Sequence, residues 1–230
     1  MKQTIEIKVP NDWSAVTLKQ YLALKKDMDS YEGEPEAIIA CMFHHLCNLP
    51  LEYVTSLDIN TYKAISADME KFLHNVESPL QRFIIIDGIE YGFEPNMSQM
   101  AYGAYVDIAK YDEMTMNEKW AEIMSILYRP VTKKSMGKYD IEKYGGIIDG
   151  KKFMDVTMDI HFGALFFFIN LSRDLQNSIL KSLTQNSKQT HPSIKSILEK
   201  SGNLTHRLSN SQTEIYSKWM KLQSNLWKNA

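Results

Sequence analysis

The residues with the clearest potential for metal chemistry lie close together between positions 41 and 47. Cys41, His44 and His45 are spaced at i, i+3 and i+4, so on a helix they would share one face and could supply two or three zinc ligands. A structural zinc site needs a closed tetrahedral shell, and no second pair of ligands is spaced to complete it. We therefore favour burial of Cys41 and Cys47 as small apolar side chains, and we predict no metal or other cofactor.

Two groups of acidic residues could in principle serve acid–base catalysis. They are Asp107, Asp112 and Glu113 around Tyr111, and Asp155 and Asp159 ahead of His161. Acidic side chains in a first helical turn also complement the helix dipole, and we favour that structural role. The sequence has no GxSxG motif, no Gly-rich phosphate loop ending in Lys-Ser/Thr and no HExxH motif, so we predict that the protein is not an enzyme.

Arg129 is the basic residue whose position is most informative. It follows an apolar helical pattern and directly precedes Pro130, so its guanidinium would lie where helix carbonyls are left without partners. It could cap that helix end, or it could pair with a carboxylate across the core. Both alternatives are structural.

The C-terminal 50 residues are basic and polar. Residues 181–230 contain eight Lys or Arg and two Asp or Glu, a formal charge of +6, which leaves −8 for residues 1–180. Within a helical stretch from about Ser211 to Lys228, Ile215, Trp219, Leu222 and Leu226 recur at spacings of three and four, with Trp227 beside them. This pattern favours an amphipathic helix that docks into a groove of a partner protein.

Two alternatives for this tail remain open. Lys218, Lys221 and Lys228 could contact phosphates while Trp219 and Trp227 stack on bases, as in a nucleic-acid-binding arm. The tail could also pack on the chain's own first domain.

Composition restricts the class of protein. The chain has 230 residues, 44% of them hydrophobic and 23% charged, with 26 Lys and Arg against 28 Asp and Glu. The length allows one sizeable domain or two small ones, and two cysteines cannot form a disulfide framework. The N-terminus resembles no signal peptide, and the longest apolar run, residues 162–169, is too short to cross a membrane. We therefore expect a soluble protein without membrane contacts.

The elements that must position these residues are mostly helical. Alternation over Ile5, Ile7 and Val9 predicts a strand that Pro10 ends, and helical periodicity predicts a helical unit over about residues 14–75. Asp87-Gly88 between two β-rich runs predicts a hairpin over about residues 82–93, because a type I′ turn needs positive φ at both central residues.

The second half of the chain is predicted as two helices, an irregular region and one long helix. The helices cover about residues 98–108 and 117–127, and the irregular region covers 131–152, with a possible tight turn at Asp149-Gly150. The long helix covers about residues 155–183 and is apolar on every side in its first half, which predicts burial.

The predicted fold is therefore an α+β domain that is mostly α-helical, with the hairpin near residues 82–93 and the long, largely buried helix near 155–183. We place this core domain at residues 1–185. Residues 186–230 form a separate basic helical extension that contacts partners.

Several segments in this order resemble a known family. They are VTLKQYLALKKD, DINTYKAISADMEKFL, FIIIDGIEYGFEPN, AYGAYVDIAKYD, IMSILYRPV, KYDIEKYGG and MDIHFGALFFF. Over roughly residues 4–175 the chain resembles a family of uncharacterised proteins encoded in the structural gene blocks of tailed bacteriophages, including crAss-like phages. The layout is also similar to that of tail assembly chaperones.

This resemblance implies a non-enzymatic role in building the virion. The protein would be an oligomeric component of the neck and tail rings, or a chaperone that keeps a tail protein soluble. Its partners would be other phage structural proteins, and it would be found in the virion tail or neck, or in the host cytoplasm during assembly. The alternative from the residues alone is a nucleic-acid-associated packaging or regulatory factor that uses the basic tail.

Overall fold

The computed structural model of the chain describes residues 6–74, 78–110, 116–117, 119–146 and 149–185. Within these residues the secondary structure is mainly helical, with one antiparallel sheet, and this confirms the predicted α+β class. The tail residues Ile215, Trp219, Leu222, Leu226 and Trp227, with Lys218, Lys221 and Lys228, lie outside the described residues.

The described chain divides into two compact units. The first unit contains residues 6–74 and 155–159, and the second contains the described parts of 78–154 and 160–185. Each unit has its own cluster of buried apolar side chains.

Four α-helices follow a short 3₁₀ helix, Trp13–Ala15, in the first unit. They are α1 (Leu18–Ser30), α2 (Pro35–Cys47), the single turn α3 (Leu51–Val54) and α4 (Ile59–His74). Their buried faces supply the core, which includes Leu18, Tyr21, Leu24, Met42, Phe43, Met69, Phe72 and Leu73.

The N-terminal part of the first unit differs from its prediction in two ways. Residues 6–10 do not form a strand: Ile7 and Val9 alternate with polar residues as a strand would, but the segment joins no sheet. Helix α1 begins four residues later than periodicity indicates, because Thr17 caps it. The Thr17 hydroxyl accepts a hydrogen bond from the Gln20 amide, and the Gln20 side chain accepts one from the Thr17 amide.

Residues 155–159 are held in the first unit by backbone hydrogen bonds. The Leu18 amide donates to the Val156 carbonyl over 3.0 Å, and the Met158 amide donates to the Val16 carbonyl over 2.7 Å. This short antiparallel bridge fixes the start of the last helix, α7, whose residues run from Met158 to Gln185.

The second unit contains a four-stranded antiparallel meander in the order β1-β2-β3-β4. The strands are β1 (Phe83–Ile86), β2 (Ile89–Phe93), β3 (Tyr128–Ser135) and β4 (Lys138–Ile141), and the helices are α5 (Tyr102–Ala109), α6 (Trp120–Leu127) and α7 from residue 160 onward. Asp87 and Gly88 have φ of 52° and 76°, as a type I′ turn requires, and the predicted hairpin is confirmed.

The region 128–152, of which residues 131–152 were predicted as irregular, contains two strands. Strands β3 and β4 pair antiparallel across a turn in which Met136 and Gly137 have positive φ. The predicted tight turn at Asp149-Gly150 is instead the start of a 3₁₀ helix, Gly150–Asp155. A Cβ atom at Gly150 would lie 2.6 Å from the carbonyl carbon of Ala121, so this glycine allows a close backbone contact.

The first half of α7 lies in the core of the second unit. Phe162, Leu165 and Phe168 are buried, and the ring of Phe167 lies 5.1 Å from that of Phe93 on β2. The prediction of a long, largely buried helix therefore holds for this part. None of the helices in the described ranges combines the length and apolar character needed to span a membrane.

Candidate interaction surface

One face of the sheet carries most of the unusual features of the second unit. Because directly opposed residues of paired strands share a face, Phe83 and Ile85 of β1, Gly92 of β2 and Arg129 of β3 all lie on this face. We call it the outer face. The opposite face is apolar and buried, through Ile84, Ile86, Tyr91, Phe93 and Tyr128.

Arg129 forms a buried ion pair on the outer face. Its guanidinium donates to the carboxylate of Glu94, and the two residues are only 5% and 9% exposed. Of the two roles expected for Arg129, the structure shows pairing with a carboxylate. Its Nε–H has no hydrogen-bond partner among the described residues, so the guanidinium is held mainly by Glu94.

Strand β4 covers part of the outer face. A Cβ atom at Gly92 would lie 2.9 Å from both Ile141 Cγ2 and Tyr139 Cε2, so only glycine lets these side chains pack directly on β2. The Tyr139 hydroxyl donates to the Phe93 carbonyl over 2.6 Å. The β3–β4 hairpin is therefore fixed over the middle of the sheet.

The β1 end of the outer face is left open and apolar. Ile85 is 75% exposed on this face. Ile89 beside the hairpin turn is 51% exposed, but it points to the opposite face together with Ile86. Phe83 is partly covered, because Lys134 Nζ lies 3.8 Å from its ring centroid while pairing with Glu90 over 2.7 Å. We call Phe83 and Ile85 the hairpin surface. It lies on β1, which pairs only with β2 among the described strands.

Helix α5 adds a second exposed group. Tyr102 and Tyr105 are 80% and 63% exposed and lie one helical turn apart. Large tyrosines that contact water are common in protein interfaces, because one ring offers apolar area and its hydroxyl a hydrogen bond. The sequence pattern predicted neither the hairpin surface nor these tyrosines as candidate interaction residues.

Asp107, a candidate for acid–base chemistry, is part of a hydrogen-bonded network on α5. Its carboxylate accepts from Lys110 and from the Tyr144 hydroxyl, each over 2.5 Å, and these two contacts lower the pKa of Asp107. Burial and the bond to Asp107 raise the pKa of Tyr144 to about 12. A carboxyl with a lowered pKa stays ionised at neutral pH, so it is poorly suited to donate a proton. Asp112 and Glu113 lie outside the described residues.

His161 is fully buried between two hydrogen-bonding partners of the second unit. The indole N–H of Trp120 donates to His161 Nδ1 over 3.1 Å, and since Trp can only donate, His161 Nδ1 must accept. Nε2 therefore carries the proton and donates to the Phe153 carbonyl over 3.1 Å. Both ring nitrogens of His161 are therefore used in hydrogen bonds within the core.

Asp159, a carboxylate near His161 in the sequence, accepts a hydrogen bond from the Thr157 hydroxyl over 2.5 Å.

Both histidines among the possible zinc ligands of α2 have another partner. His45 Nε2 lies 2.7 Å from Asp27 Oδ2, and His44 Nδ1 lies 3.0 Å from the Leu49 carbonyl oxygen. The Cys41 side chain is buried, and burial raises the pKa of its thiol. In the described part of the chain, no group of three or more His, Cys, Asp or Glu residues is arranged to hold a metal ion.

The second cysteine predicts a dependence of stability on alkaline pH. Burial raises the pKa of the Cys47 thiol from 9.0 to about 12. Folding favours the protonated thiol of Cys47, so its contribution to the free energy of unfolding is fully present below pH 9. Above pH 9 the thiol ionises more easily in the unfolded chain, and this contribution is lost as the pH rises toward 12. We expect the free energy of unfolding to fall by on the order of 1–4 kcal/mol over this window. The measurement is urea unfolding at a series of pH values.

Two variants separate the contributions to this alkaline loss. Cys47→Ala should flatten the fall in the free energy of unfolding. Tyr144→Phe, which removes a second described group with a pKa of about 12, should flatten it independently. An unchanged slope in Cys47→Ala would contradict burial of the thiol.

Comparison of the sequence with protein-family models finds no matching family, and no curated protein or solved structure matches the chain. The function must therefore be inferred from the residues, their geometry and the resemblance noted in the sequence.

Proposed function

We propose that this chain is a non-enzymatic structural or assembly protein of a tailed bacteriophage, acting through contacts with other phage structural proteins. It would be a component of the neck or tail rings, or a tail assembly chaperone. It would be found in the virion tail or neck, or in the host cytoplasm during assembly. The order of sequence segments over residues 4–175 supports the phage origin, and the hairpin surface supports the mode of action.

The observation that carries the mode of action is the exposed apolar end of the outer face. Ile85 is exposed on the outer face of β1, whereas β4 covers the outer face at Gly92 and the Arg129–Glu94 pair next to it is buried. An apolar edge strand is a ready template for pairing with another chain, and proteins that do not use such an edge usually protect it with charge or proline. This edge is suited to a partner protein.

The polar groups with catalytic potential add support. His161 is held between Trp120 and Phe153, and Asp107 is held between Lys110 and Tyr144. In each case the hydrogen bonds join elements of the second unit, so the same residues have a structural use. This arrangement favours a protein that works by shape and burial.

A charge introduced on the hairpin surface tests the proposal. We expect Ile85→Asp to weaken binding to the partner at least about tenfold, because a central apolar contact in an interface is worth about 2 kcal/mol or more. Stability should fall by no more than about 1 kcal/mol, because Ile85 is mostly exposed, although Asp is unfavourable in a strand and would lie opposite Glu90. Co-purification from infected cells and urea unfolding measure the two effects.

Ser135→Asp is the matched control, because it places the same charge at another exposed strand position, outside the hairpin surface. It should leave co-purification unchanged. Equal losses in the two variants would show that charge, and not the hairpin surface, decides binding.

A second candidate function is a nucleic-acid-associated packaging or regulatory factor. The excess of basic residues in 181–230 is the observation that favours it. Phosphate contacts release counterions, so such binding must weaken steeply as salt rises. Titration of duplex and single-stranded DNA at 50 and 200 mM salt, roughly the range over which such affinities change most, tests this function. Absence of binding at low salt would exclude it.

A further inference from the structure

A groove of about 790 Å³ runs along α4 in the first unit. Its floor includes Ile65 and Phe72, and the extended segment before the first helix contributes Ile7 and Val9 to its wall. Asp68 and Lys71 are polar lining residues of the groove, and they form an ion pair over 3.0 Å. A volume of this size is within the range of about 300–1,000 Å³ that is typical of ligand sites, and it could accept several large side chains.

We propose that this groove is the docking site of residues 211–228 of the same chain, which lie outside the described residues. The inference goes beyond the proposed function, because it holds whether or not the protein belongs to a phage particle.

The dimensions of the groove and of the tail stripe agree. The stripe from Ile215 to Leu226 spans eleven residue steps, and the groove follows α4 from Thr61 to Phe72, which is also eleven steps. At about 1.5 Å per residue, both are roughly 17 Å long. Ser211 and Glu214 have the S-x-x-E spacing of a capping box, which predicts that a helix begins at the start of this segment.

The charges of the two parts are complementary. Residues 6–74 contain eleven Asp or Glu and six Lys or Arg, whereas residues 186–230 contain seven Lys or Arg and two Asp or Glu. Lys218 and Lys221 flank the stripe on one side, where they would approach Asp68, which lines the groove together with its ion-pair partner Lys71. Complementary charge of this kind favours encounter and orients the docked segment.

Chain connectivity favours the same molecule over a second copy. Residues 186–210 form a connection of 25 residues, which when extended can reach roughly 85 Å, so it does not restrict docking. A tethered segment also has an effective concentration on the order of millimolar, far above that of a second copy in dilute solution. While docked, Trp219 and Leu222 are occupied, so any partner that uses the stripe must displace it.

Photo-crosslinking of the full chain tests the docking. Ala64 is exposed and lines the groove, so Ala64→p-benzoylphenylalanine places a photo-reactive group at the proposed contact. Irradiation should produce crosslinks to peptides within residues 211–228, in a product with the mobility of a single chain. The same group introduced by Glu70→p-benzoylphenylalanine, at an exposed α4 position outside the groove lining, should give none of these peptides.

Two tryptophan variants complete the experiment. In the Ala64 photo-crosslinking chain, Trp219→Ala should reduce the yield of tail peptides at least about fivefold, because Trp219 lies on the stripe. Trp227→Ala, outside the stripe, should change the yield less than about twofold. Crosslinks to residues 1–5, crosslinks between two copies, or equal yields in the two tryptophan variants would each overturn the proposal.

Discussion

Replacing Glu94 with Gln is expected to lower the free energy of unfolding by about 3–5 kcal/mol. The amide keeps the size of the side chain but removes the negative charge that Arg129 meets, and both residues are more than nine-tenths buried. An uncompensated guanidinium in that environment loses its hydration without gaining an ionic partner. Urea unfolding followed by circular dichroism measures the change.

Glu90→Gln provides the control for this prediction. Glu90 pairs with Lys134 on the same face of the sheet, but both side chains are more than 40% exposed, so the loss should be below about 1 kcal/mol. The double variant Glu94→Leu with Arg129→Met should recover much of the stability lost in Glu94→Gln, because it removes both buried charges together. Equal effects of the two Gln substitutions would contradict burial of the Arg129–Glu94 pair.

The second large effect is expected at His161. His161→Ala removes a fully buried side chain and leaves the Trp120 indole N–H and the Phe153 carbonyl without this partner. The cavity and the lost hydrogen bonds together should lower the free energy of unfolding by about 3–5 kcal/mol. Thermal and urea unfolding of the two proteins measure the difference.

His44→Ala is the matched control, because His44 is exposed and bonds only one carbonyl oxygen near a helix end. Its cost should stay below about 1 kcal/mol. If His161→Ala lowered the free energy of unfolding by as little as His44→Ala, this would contradict the buried hydrogen bonds that join Trp120, His161 and Phe153.

The elements that sequence reasoning predicted well have strong local signals. Asp87-Gly88 specifies a hairpin by itself, because few other dipeptides adopt positive φ at both positions at low cost. Helix α4 has clear apolar periodicity, α2 is apolar almost all round, and α6 ends at Leu127, three residues before Pro130. In each case the information lies within a few residues.

Strands β3 and β4 were missed because their local signals point elsewhere. Pro130 lies within β3 opposite Tyr91, although proline disfavours strand interiors, and the following lysines suggest an exposed loop. The turn between the strands uses Met136 at positive φ, where glycine or asparagine is usual. Packing of Tyr139 and Ile141 on Gly92 stabilises this hairpin, and such contacts between distant residues cannot be read from a window of sequence.

The same limit applies to the candidate site. Arg129 was singled out by its position before Pro130, but its partner Glu94 lies 35 residues earlier and is brought close only by the register of β2 with β3. The hairpin surface was missed for a different reason. Phe83–Ile86 is apolar at four successive positions, a pattern typical of a strand buried on both faces, whereas the structure exposes Ile85.

We propose that the protein works by binding other structural proteins of a phage through the hairpin surface. The most direct measurement is quantitative mass spectrometry of complexes purified with the full chain from infected cells, comparing the native protein with Ile85→Asp. We expect phage structural proteins to be recovered with the native chain in a fixed ratio. The recovered amount of these proteins should be at least about tenfold lower with Ile85→Asp. Recovery of the native chain without any phage structural protein, or an equal recovery with Ile85→Asp, would contradict it.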